Sequence, residues 1–89
     1  MRGANLSGAR LSSERGNELK TPKQTDLSGA NLVGADLRRA DLRGVKLAFA
    51  DLSHANLAFA DLHGADLTRA IMLGADVSGA NFADVDVYG

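Results

Sequence analysis

The 89-residue sequence contains no cysteine and no tryptophan, a single proline (Pro22), three phenylalanines and one tyrosine. Without cysteine there is no disulfide staple, no thiolate metal site and no cysteine nucleophile. So few aromatics leave little bulk for a rounded core, which in a small chain depends on large side chains. No stretch approaches the ~18 apolar residues that span a membrane. The opening Met1-Arg2-Gly3-Ala4-Asn5 lacks the apolar run of a secretory signal. The cytoplasm is the expected location, and the missing cysteine fits a reducing compartment. This length allows one domain at most. The net charge of −1 hides an asymmetry. Residues 1–24 carry five Lys/Arg against two Glu, whereas 25–89 carry five against nine Asp, so the start is mildly basic and the body mildly acidic.

What the chain has in abundance is alanine, leucine and a five-residue period. From Thr25 to Gly89 it divides without a gap into thirteen units. Their third position reads Leu27, Leu32, Leu37, Leu42, Leu47, Leu52, Leu57, Leu62, Leu67, Met72, Val77, Phe82 and Val87, apolar throughout. The first position is Ala in ten units, with Val45, Val85 and Thr25 as exceptions; the second is Asp or Asn in all but Lys46 and Ile71; the fifth is Gly in seven. Two further units, 4–8 and 9–13, precede an interruption at 14–24.

Period five excludes both ordinary elements. On a helix, residues five apart drift by ~140° and the leucines would smear over every side. On a flat strand every second leucine would face water. Positions one and three do share a face of a short extended segment, provided a corner then restores the orientation. Short strand and corner in alternation outline a parallel β-helix, with Ala and Leu inward, Gly at the corner for positive φ, and Asp or Asn bonding nearby turn backbone.

The motif Ala-(Asp/Asn)-Leu-x-x resembles that of the pentapeptide-repeat family, over about three quarters of the chain continuously. The resemblance implies an all-β fold, a right-handed quadrilateral parallel β-helix with four units per coil and about three to four coils; the thirteen units alone fill three coils and one further side. The expected organisation is N-terminal units over 1–13, a loop or cap over 14–24 with Leu19 able to cover the open core, and a continuous solenoid over 25–89. Residues twenty apart then stack: Leu27, Leu47, Leu67 and Val87 in one column, with Thr25, Val45, Ala65 and Val85 beside it. The Asp/Asn positions stack outside, as at Asp41, Asp61 and Asn81. Fifth-position Phe49 falls beside Arg69, and Phe59 beside Arg39. The chain begins in mid-unit and ends in frame at Tyr88-Gly89 without a cap, which is what a piece of a longer solenoid would do. An uncapped coil is also an edge through which copies could associate end to end.

The residue types do not assemble into chemistry. The serines lack an aligned His–acid pair, His54 and His63 fall on different sides, and the aspartates are accounted for by the repeat, so no catalytic, metal or cofactor site is expected. The basic cluster Arg38, Arg39, Arg43 and Lys46 lacks interleaved aromatics and has acidic neighbours. It reads as balancing the Asp columns rather than as a nucleic-acid surface. The expected function is a non-enzymatic structural or protein-interaction module with an unidentified protein partner, no membrane and no cofactor. Its candidate contacts are Arg38, Arg39, Arg43, Phe49, Phe59 and Arg69. The resemblance implies an alternative, a DNA-mimicking gyrase or topoisomerase-binding protein of the kind linked to quinolone resistance. The weak negative charge, the short body and the lack of a C-terminal helix count against that alternative.

Overall fold

The computed structural model describes residues 3–11 and 25–87. Each five-residue unit makes one side of a square. A short extended segment carries the first three positions, and a turn built on the fourth and fifth redirects the chain. The turn closes with a hydrogen bond from the next unit's first N–H to the third-position carbonyl, as from Ala30 to Leu27 (3.0 Å). Positive φ falls only on the second central residue, here Gly29 (φ 71°), which defines a type II turn and explains the preference for glycine.

Coils are stacked by a parallel ladder. Asp26 bridges Lys46, Lys46 bridges Asp66 and Asp66 bridges Asp86, so the coil is twenty residues long. Leu27 N–H donates to the Lys46 carbonyl, and Gly29 N–H to that of Ala48, both at 2.8 Å; Lys46 N–H returns a bond to the Thr25 carbonyl at 2.9 Å. The sides are thereby assigned. The first face holds the units that begin at Ala4, Ala35, Ala55 and Ala75; the second those at Ala9, Ala40, Ala60 and Ala80; the third those at Thr25, Val45, Ala65 and Val85; the fourth those at Ala30, Ala50 and Ala70. The result is the expected right-handed quadrilateral parallel β-helix, wound in the hand that parallel connections favour.

The two N-terminal units belong to this body. Asn5 bridges Asp36 and Arg10 bridges Asp41, a spacing of 31 residues rather than twenty. They supply the first two sides of the first coil, and Thr25 begins the third. The stacking register therefore passes from the second face to the third as though eleven residues were absent. The reading of 14–24 as loop or cap lies outside the described residues.

The core is a thin column of Leu and Ala, closed to water from Leu32 to Leu67, and among the described residues no polar or charged one is buried. Val45 and Ala65 stack on the third face, both fully buried. In the last described coil Met72 and Phe82 are half-buried and Val77 and Val87 exposed. Among the described residues no further coil takes up the N–H groups of Met72, Gly74, Val77 and Gly79.

Candidate functional surface

The outward side chains come from the second, fourth and fifth positions, and each is placed by a different local bond. At the second position Asp or Asn accepts the backbone N–H two residues on. Asp26 takes that of Ser28 at 2.9 Å, Asp51 that of Ser53 at 3.0 Å and Asn56 that of Ala58 at 3.0 Å. This Asx turn satisfies the one turn donor that the ladder leaves over, and it recurs along the described units except where Arg10, Lys46 and Ile71 offer no acceptor. Fourth-position side chains add to it. The Thr68 hydroxyl donates to Asp66 at 2.6 Å and the Ser78 hydroxyl to Asp76 at 2.7 Å, which holds both carboxyls below the usual carboxylate range.

The basic cluster is taken up by these turns. Arg38 forks onto Asp36, with Nε to Oδ1 at 2.8 Å and the second guanidinium nitrogen to Oδ2 at 2.7 Å. Arg43 does the same to Asp41 at 2.8 Å for both bonds. The pairing lowers the Asp36 pKa and raises both arginines further. Lys46 lies 4.0 Å from Asp26, in the column where it separates that residue from Asp66. The signal for the arginine forks was present in the sequence as Asp-Leu-Arg, twice in succession. Spacing alone does not reveal the fork, because residues two apart meet neither on a helix nor across a strand; they meet here because a turn intervenes.

Directly stacked acids are few. Asn56 stands between Asp36 and Asp76, and Lys46 between Asp26 and Asp66. Where Asp41 meets Asp61, Arg43 neutralises the first and the Asn81 amide donates to the second at 3.2 Å.

The fifth position holds the least expected geometry. Every described corner has positive φ, including six that are not glycine: Arg39 (59°), Phe49 (62°), His54 (61°), Phe59 (60°), Arg69 (55°) and Asp84 (57°). Phe49 and Phe59 are each 61% exposed. The corner columns run Arg39, Phe59, Gly79 on the first face and Phe49, Arg69 on the third. The guanidinium of Arg39 lies over the Phe59 ring at 5.4 Å from its centre, the contact expected from their spacing. The equivalent stack of Arg69 on Phe49 does not form; among the described residues Arg39 is the one cation set over a ring. The Phe59 ring leans toward the next coil, where a Cβ on Gly79 would fall 2.6 Å from it; His54 leans likewise over Gly74. His63 faces Asp84 at 3.8 Å. Among the described residues no three His, Cys, Asp or Glu side chains are grouped to hold a metal ion, and no helix is long and apolar enough to cross a membrane.

The candidate contacts thus separate by role. Arg38 and Arg43 are bound to their own units and Arg39 to a ring, whereas Phe49 and Arg69 project from one corner.

The family model for pentapeptide repeats matches residues 23–57 and 46–84, in eight copies. The chain belongs to the pentapeptide-repeat family. Among solved structures, this pentapeptide-repeat chain is similar to alr5209, a pentapeptide repeat protein from Nostoc PCC 7120, with 38% identity over 85% of this chain and 62% of that one and a TM-score of 0.51. It is similar also to HetL of Nostoc sp. strain PCC 7120, a pentapeptide repeat protein involved in heterocyst differentiation regulation (30% identity, 94% and 47% covered, TM-score 0.29). A third likeness is to Rfr23 of the cyanobacterium Cyanothece 51142 (24% identity, 98% and 82% covered, TM-score 0.33). The chain spans less than two thirds of the length of the first two. None of the curated proteins compared with the chain matches it.

Proposed function

We propose that this pentapeptide-repeat chain is a rigid scaffold whose corner side chains contact a protein partner, with no chemistry of its own. The observation that supports the reading is the strain at the corners. A residue with a Cβ in the left-handed region costs about 1 kcal/mol relative to glycine, and the repeat supplies glycine at this position elsewhere. Arg39, Phe49, His54, Phe59 and Arg69 nonetheless occupy five of the corners of the two middle coils. Such outliers persist where the side chain is needed for something other than the fold.

Replacing Arg39, Phe49, Phe59 and Arg69 together by glycine tests this. The variant is expected to remain folded by far-UV circular dichroism, with undiminished thermal stability, and to lose proteins that the unaltered chain retains on affinity capture. Retention of the same proteins by both forms would remove the reading.

The DNA-mimic alternative needs a continuous negative surface to imitate a duplex. The forks of Arg38 and Arg43 and the insertion of Lys46 and Asn56 between aspartates break that surface into short stretches. DNA gyrase supercoiling is accordingly expected to be unchanged by the purified chain, and inhibition or protection would favour the mimic.

A further inference from the structure

We propose that the fourth face is a self-complementary surface through which two copies of this chain pair side to side. That face is the least charged of the four. Its second positions are Asn31, Asp51 and Ile71 and its fourth positions Val33, Ser53 and Leu73. Ile71 is 45% and Leu73 72% exposed. Ile71 replaces the Asp or Asn of the motif and so gives up the turn bond that those residues make; its unit, Ala70-Ile71-Met72-Leu73-Gly74, is apolar on both sides of the wall.

The corner that leads into this face carries Phe49 with Arg69 one coil on. Beside them, Asp51 bridges Ile71, and Ile71 N–H donates to the Ala50 carbonyl at 2.9 Å. The four residues make a chequerboard with Phe49 and Ile71 on one diagonal and Arg69 and Asp51 on the other. Its sides are about 6.6 Å along the strand and about 4.8 Å between coils. Arg69 is the cation of 25–87 with neither a carboxylate within ion-pair distance nor a ring against it among the described residues.

A two-fold axis lying in the plane of the face, along the Phe49–Ile71 diagonal, sets each of these residues against its own copy. The same rotation places each Arg69 opposite the Asp51 of the second copy, giving two ion pairs around an apolar centre. Because the sides of the chequerboard are unequal, the match is offset by about 2–3 Å, which an arginine side chain spans. An isologous contact of this kind closes at two copies and does not propagate. A face of this size buries about 800–1,000 Å² in total, at the low end for specific complexes. Interfaces of this size belong to weak, transient association, so high protein concentration is needed to observe the pair. The pairing uses Phe49 and Arg69, two of the corner residues assigned to a protein partner above, so a second copy and that partner compete for this corner; it is distinct from end-to-end stacking of coils.

Sedimentation of the full chain at concentrations up to about 1 mM tests it, together with Arg69→Asp and Asp51→Lys. Both replacements have precedents in equivalent positions, Asp84 at a corner and Lys46 at a second position, so folding is expected to survive and far-UV circular dichroism verifies it. Each variant alone should weaken self-association by about tenfold or more, because each brings like charges together. An equimolar mixture of the two should recover association to near the unaltered value, since opposite charges again face each other. Phe49→Gly should also weaken association while raising the melting temperature, which separates loss of contact from loss of fold. A chain that stays monomeric at about 1 mM overturns the proposal, as does association that neither charge variant changes (as end-to-end stacking would give) or a mixture that fails to recover.

Discussion

Gly79→Ala isolates the packing of the corner columns, because its strain can be matched by a second glycine with empty surroundings. Gly34 and Gly79 have nearly the same φ, 69° and 67°; an added Cβ meets nothing within 4 Å at Gly34 but falls 2.6 Å from the Phe59 ring at Gly79. Both substitutions carry the left-handed penalty of about 1 kcal/mol. At Gly79 the ring must also move. It is 61% exposed and can swing outward, so the added cost is the lost contact with Arg39 and the coil below, about 0.5–1 kcal/mol. Gly79→Ala should then melt about 2–8 °C below Gly34→Ala, read by circular dichroism at 222 nm or a urea midpoint. Phe59→Gly in the Gly79→Ala background removes the obstacle, and the cost of the alanine should fall to that at Gly34. Equal losses at Gly34 and Gly79, or no recovery in the double variant, would refute the reasoning.

Other outcomes follow from the core, the turns and the carboxylates. Leu57 is completely buried, so Leu57→Ala should cost about 2–5 kcal/mol in chemical denaturation. Ala55 is 1% exposed at the narrow first position, and Ala55→Leu should overpack the core by about 1–3 kcal/mol. Asp66→Ala removes the acceptor of both the Thr68 N–H and its hydroxyl and should cost about 1 kcal/mol, whereas Lys46→Ala should change stability little because its ion pair is exposed. The pKa values of Asp26, Asp36, Asp66 and Asp76 are lowered by bonds within their own turns. A carboxyl whose folded pKa is depressed stabilises the fold above its unfolded pKa of about 3.9 and loses that contribution as pH falls through the lower folded value. Melting temperature should therefore be level from about pH 7 to 5 and decline below about pH 4; a decline beginning near neutrality would contradict this.

The wall of the solenoid was legible from the five-residue period, since inward and outward positions are fixed once the period is known. Alanine and leucine at the first and third positions are the core, and Asp or Asn at the second makes the turn bond expected of it. The columns followed from a twenty-residue coil, and one of the two Arg–Phe contacts foreseen from them is present. What could not be read was geometry that depends on more than spacing. Positive φ was expected of the glycines, but the bulky corners adopt it as well, because ladder bonds on both sides leave them no other conformation. The place of the first two units was hidden because eleven residues shift the frame by one, and no count indicates which corner absorbs them. The availability of Phe49 and Arg69 was hidden too, since a shared column brings side chains near one another without deciding whether they stack.

The twenty-residue coil and its continuation across residues 14–24 can be tested by cross-linking, which the absence of native cysteine makes clean. Asn5 and Asp36 are bridge partners, and neighbouring strands about 4.8 Å apart lie within the span of a disulfide. Asp26 is closer to Asn5 in sequence but belongs to the opposite side of the coil. Under mild oxidation, followed by mass spectrometry, a chain with cysteines at positions 5 and 36 should form an intramolecular disulfide, and one with cysteines at 5 and 26 should not. Cross-linking of the 5–26 pair in preference to the 5–36 pair would contradict the assigned register.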